Sequence, residues 1–117
     1  MKILKQKISL EELKKMATSL FGDMVKAVVD VDKKIVAVDA ELPSDLEALL
    51  IERGSKQNSL WGINIYPEIK GEGFVEFDSM INMRPSQNNR SRGVEDANTR
   101  KKIVAIVRGK LKDALSA

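Results

Sequence analysis

The chain has 117 residues, enough for one domain around one core, with 43% hydrophobic and 32% charged side chains and a net charge of +3. It has no cysteine and no histidine, which excludes disulfides, thiol nucleophiles, imidazole bases and zinc sites of the usual nitrogen and sulfur type. No run approaches the ~18 apolar residues of a membrane span, and MKILKQKI lacks the apolar stretch of a signal peptide, so the expectation is a cytoplasmic single domain over 1–117 with no membrane partner.

Residues 2–6 read as a short edge strand. Ser9 and Glu12 form an S-x-x-E capping box ahead of Leu10, Leu13, Ala17, Leu20 and Phe21, a single apolar helix face that stops at Gly22. The β-branched run MVKAVVDVDKKIVAVDAEL predicts a hairpin of 24–31 and 34–40 turning at Asp32-Lys33, with Lys26 opposite Asp39 as a surface ion pair. Pro43-Ser44 opens a second helix with Ser44 and Glu47 as its capping box. Leu46, Leu49 and Leu50 face inward, and Gly54 ends it. A second hairpin pairs LWGINIYPE with FVEFDSMINMR across a turn at Ile69–Gly73.

The last helix starts near Asp96 or Asn98 and repeats Ile103, Val107, Leu111 and Leu115, with Val104 and Ala114 alongside. Gly109 within it costs about 1 kcal/mol relative to alanine. The fold class is α+β, an antiparallel sheet built from two β-hairpins, with or without residues 2–6 as an edge strand. Its three helices pack on one face, in the order (β)αββαββα.

Alternation sorts the second hairpin into two faces. Trp61, Ile63, Ile65, Val75, Phe77, Ile81 and Met83 form the core side, while Asn64, Tyr66, Glu76, Asp78, Asn82 and Arg84 form a polar side. Glu76 and Asp78 stand two apart on one strand, about 6–7 Å along it. With Asn64 opposite they would suit Mg²⁺, a hard cation of the kind the composition leaves in view. The plain alternative is a wetted sheet face with ion pairs to Arg84. Tyr66 on that face would stack on a base or ring. Met80 and Phe74 fall on the same side and need cover, which favours a partner surface.

The stretch RPSQNNRSRGVED, Arg84 to Asp96, concentrates guanidiniums and amides in a loop of about eleven residues, long for so small a domain. Planar guanidiniums with amide donors suit phosphate or carboxylate groups. The candidate ligand-binding residues are therefore Arg84, Gln87, Asn89, Arg90 and Arg92, joined by Asn64 and Tyr66, with Glu76 and Asp78 for a metal. The N-terminus of the last helix would add donors to an anion site, with Asp96 as N-cap competing for them. Charge is uneven: residues 1–83 carry 11 basic and 14 acidic side chains, and residues 84–117 carry 9 and 3. Lys101, Arg108 and Lys112 share one flank of the helix and extend a basic stripe.

The segments VKAVVDVDKKIVAVDAELPSD, LWGINIYPE and above all FDSMINMRPSQNNRSRGVED resemble a family of small prokaryotic proteins of unknown function. The resemblance spans nearly the whole chain and implies a free-standing single-domain protein. It brings no activity, cofactor or site residue. Three readings follow from the residues. The first is a binding module for a phosphate-bearing ligand or nucleic acid. The second is a protein-interaction or self-assembling domain, as a homodimer for instance. The third is a Mg²⁺-dependent phosphoester hydrolase. Binding ranks first and catalysis last.

Overall fold

The computed structural model describes residues 1–112. In chain order they form β1 (Lys2–Ile3), α1 (Leu10–Leu20), β2 (Val25–Asp30), β3 (Ile35–Val38), α2 (Pro43–Glu52), β4 (Leu60–Ile65), β5 (Val75–Glu76) and α3 (Ala97–Gly109). Single 3-10 turns lie at Gln57–Ser59, Gly71–Phe74, Met80–Asn82 and Pro85–Gln87. The five strands make one antiparallel sheet in the order β1-β3-β2-β4-β5. The expected α+β class and element order hold. Leu115 and Ala114 lie outside the described residues.

The helices do not share one face. Leu13 and Ala17 of α1 and Ile103 and Val107 of α3 pack with Val25, Ala27, Val29, Val36, Val38, Ile63 and Ile65. Leu46 and Leu50 of α2 pack on the opposite side with Val28, Ala37 and Leu60. The cause is in β2 and β3: Val28 and Ala37 are as apolar as their neighbours, so the central strands need cover on both sides. Both residues are fully buried.

Local chemistry sets the helix ends. Ser9 Oγ accepts the Glu12 N–H at 3.1 Å, and Gly22, at φ +92°, donates to Ala17 O at 2.7 Å. α2 departs from expectation. Pro43 takes the first helical position, which needs no N–H, so Leu42 is the cap and Ser44 already lies inside the first turn without a capping bond.

The first hairpin keeps the expected register, Asp30 opposite Ile35, but residues 31–34 form a four-residue turn. Asp30 builds it: its buried Oδ1 accepts the Asp32 and Lys33 N–H groups, each at 2.9 Å, and Oδ2 accepts Ser55 Oγ–H at 2.6 Å. No Lys26–Asp39 ion pair forms. β3 ends at Val38, Asp39 turns to φ +71°, and Lys26 Nζ sits 5.3 Å from the centre of the Phe21 ring.

The second hairpin is shorter than expected, because the returning chain leaves the sheet after Glu76. Gly62 explains how it leaves: a Cβ there would lie 2.5 Å from Ser79 Cβ and 3.0 Å from Ile81 Cγ1. The 79–82 segment thus crosses β4 where no side chain stands. The Asn82 side chain then replaces the missing strand. Its Oδ1 accepts the Gly62 N–H at 2.8 Å, and its Nδ2 donates to Gly62 O at 2.9 Å.

The expected alternation breaks with it. Asn82 is fully buried, Met83 is exposed rather than core, and Ile81 packs on the α2 side. Phe74 is 1% exposed and needs no partner, whereas Met80 is exposed, as expected. Finally, the Ile8 N–H donates to Lys110 O at 2.7 Å and the Lys112 N–H to Ile8 O at 3.0 Å, clasping the start of α1 to the end of α3.

Candidate functional site

The loop from Arg84 to Asp96 is built around amides. Arg84 and Asn89 pair through their backbones, with Arg84 N–H to Asn89 O at 2.8 Å, and Asn88 turns the chain between them at φ +60°. Asn89 is 2% exposed. Its Nδ2 donates to Asn82 O at 2.7 Å and Gly93 O at 2.8 Å, and its Oδ1 accepts the Glu95 N–H at 2.9 Å. Asn82 Nδ2 also donates to Arg92 O at 2.9 Å. A continuous amide chain therefore runs from Gly62 through Asn82 and Asn89 to Glu95. Such a buried network is costly to leave half-made and rigid once complete.

Most of the loop's long side chains are engaged by the protein itself. The Arg84 guanidinium donates to the carbonyls of Gln57 and Leu60 and stacks 4.3 Å from the Trp61 ring centre. Desolvation by burial lowers its pKa, partly offset by Glu47, but an arginine so placed stays charged. Gln87 Nε2 donates to Asn58 O at 3.1 Å. Arg92 Nε donates to Asp78 Oδ1 at 2.6 Å. The Arg90 backbone N–H is held by the Glu95 carboxylate, while its guanidinium is exposed and makes no hydrogen bond or ion pair among the described residues.

The polar end of the sheet brings Lys26, Asn64 and Glu76 side by side on β2, β4 and β5. Glu76 Oε1 accepts both Asn64 Nδ2 at 2.8 Å and the Tyr66 hydroxyl at 3.0 Å. Burial and then that bond to Glu76 raise the Tyr66 pKa, so the phenol stays protonated and serves as a hydrogen-bond donor to Glu76. Glu76 thus faces Asn64 and Tyr66, while Asp78 faces Arg92. Among the described residues no group of three or more carboxylates is arranged to hold a metal ion.

Beside the loop lies an open cleft of about 650 Å³. Trp61, Gln87 and Asn89 line it together with three carboxylates, Asp32, Glu95 and Asp96, and no basic side chain. Asp96 caps α3, accepting Thr99 N–H at 2.8 Å and Thr99 Oγ1–H at 2.7 Å. These bonds, the hydroxyl's first, hold the Asp96 pKa below its ordinary value. Arg100 reaches back to Val94 O at 2.6 Å and Glu95 O at 3.0 Å.

Farther along, α3 changes character. Residues 97–110 hold five basic side chains, Arg100, Lys101, Lys102, Arg108 and Lys110, and no acidic one. None of the five forms an ion pair among the described residues. Lys112 pairs loosely with Glu12 at 3.9 Å.

Sequence reasoning did not single out Gly62 or Asp30, and it set Asn82 on an open polar face and not in the interior. A glycine inside a strand pattern marks a close backbone approach, and an aspartate at a strand end marks a side-chain-stabilised turn, so two of the three carried a local signal. Asn82 did not, because its partner is a backbone 20 residues away.

A family model described as Protein of unknown function (DUF5674) matches residues 2–110. The chain belongs to that family. The DUF5674 match takes in both the amide-locked loop and the whole of α3. No curated protein and no solved structure matches the chain.

Proposed function

We propose that this protein is a binding module for an anionic partner, received on the outer surface of α3. The observation that carries the reading is the charge of residues 97–110, where five basic side chains stand with no carboxylate inside the stretch and form no ion pair among the described residues. Surface charges of one sign raise the local concentration of a partner of the other sign and speed its approach. The cap on Asp96 keeps anions from the helix N-terminus, so the attraction acts along the helix side.

In this reading Arg84, Gln87 and Asn89 serve as the frame of the loop, and Arg90 is the loop residue that reaches the partner. Asn64 and Tyr66 hold Glu76 in place. A metal on Glu76 and Asp78 would first require Arg92 to release Asp78, which ranks that reading below binding.

The test is the affinity of the protein for a short DNA duplex and for polyglutamate across a salt series. At least one probe should bind, with affinity falling as salt rises. Replacing Lys101, Lys102 and Arg108 together by Glu should weaken that binding at least tenfold while the circular dichroism spectrum is unchanged. No binding of either probe at low salt, or an unchanged affinity in the triple variant, overturns the proposal.

A further inference from the structure

The crevice between α3 and β5 has features that a merely charged helix surface lacks. It is a groove of about 700 Å³. Val75, Phe77, Val104 and Ala105 supply apolar walls, and Lys101 and Arg108 stand among them. Glu72 is its one carboxylate. Arg108 Nε is buried and has no hydrogen-bond partner, the kind of vacancy that a ligand's acceptor oxygen fills.

One side of the groove is the last strand of the sheet. The Tyr66 N–H donates to Phe74 O at 2.9 Å, and Ile65 stands opposite Val75. That places Val75 at a non-hydrogen-bonded position of the β4–β5 pair, so its own N–H and C=O point away from β4; it is the one residue of the two-residue β5 to do so, and the 92–93 loop lines the chain beyond it. An open edge of this kind pairs with an added strand.

We infer that this groove docks an acidic, extended protein segment as a strand against β5. The inference rests on the anionic-partner reading and narrows the partner to a polypeptide. In an extended segment side chains alternate. One set would enter the apolar wall between Phe77 and Val104, and carboxylates of the other set would meet Lys101 and the open Nε of Arg108. A nucleic acid fits this groove less well. Its walls are mainly aliphatic, with Phe77 the single ring, and a stacking platform needs several.

The experiment is a backbone amide NMR titration of the protein with a short peptide of alternating valine and glutamate. The controls are the same peptide N-methylated along one edge, and a short DNA duplex. The plain peptide should shift Val75, Phe77, Lys101 and Arg108 and slow hydrogen exchange at the Val75 amide at least tenfold. The N-methylated peptide should not bind, and Arg108→Gln should weaken the plain peptide about fivefold. Equal binding of the N-methylated peptide, or shifts elsewhere, overturns strand addition. Binding of the duplex alone through the same α3 residues overturns the polypeptide partner and leaves the anionic-partner reading standing. Binding of neither overturns both.

Discussion

The loop from Arg84 to Asp96 and the helix α3 after it are both rich in basic side chains, but they direct them differently. In the loop Arg84 is turned onto two backbone carbonyls and a tryptophan ring, Arg92 onto Asp78, and the amides onto one another. On α3 four cations, Lys101, Lys102, Arg108 and Lys110, have no bonded partner among the described residues. Donor-rich composition therefore marks two things here, an internal scaffold and an open surface. Only the location of the acceptors separates them.

The largest expected effect tests the scaffold. Asn89→Ala leaves Asn82 O, Gly93 O and the Glu95 N–H without partners, and should cost about 3 kcal/mol or more in urea unfolding. Asn89→Asp should be no better, since it keeps the acceptor but sets carboxylate oxygen against two carbonyls. A near-neutral Asn89→Asp would show that the loop is not held by that side chain. Next is Gly62→Ala, whose Cβ would meet Ser79 at 2.5 Å. It should destabilise by about 1–3 kcal/mol and shift the amide resonances of 79–82.

Arg84→Lys loses the stack on Trp61 and one of two carbonyl bonds, for about 1–2 kcal/mol, although charge is conserved. Arg90→Ala sharpens the contrast within the loop itself. Stability should change by less than about 0.5 kcal/mol, while affinity for whichever anionic probe binds should fall.

The smallest effect is expected in acid. Asp96 has a folded pKa below its ordinary 3.8, so its contribution is complete above that value and disappears as pH falls through the folded pKa. Asp96→Asn should flatten the stability curve in that window, with a small loss of stability above it where the ionised cap contributes in full, as thermal melts between pH 2 and about 6 would record.

What was legible in the sequence was local. The Ser9 cap, the Gly22 stop and the Asp96 cap are settled within three to five residues, and the structure keeps them. The first hairpin's register follows from its β-branched run. Two-sided cover was also written there, in Val28 and Ala37, but the expectation of helices on one face of the sheet passed over it. The loop was legible as special and not as a scaffold, because Arg84 finds its carbonyls 24 and 27 residues away. Helix-cap rules do not reach that far, and only the Gly62 gap hints at the crossing. The α3 charges were visible from the start, and the structure adds which of them lie beside a strand edge.

The clasp between Ile8 and the end of α3 bears on how the protein is made. A ribosome delivers Ile8 roughly a hundred residues before Lys112, and a contact between such distant points closes a long loop. Until residue 112 clears the exit tunnel, Ile8, which is 2% exposed in the finished fold, has no α3 to pack on. The nascent chain therefore carries Ile8 without this cover from its emergence until the end of α3 has followed it.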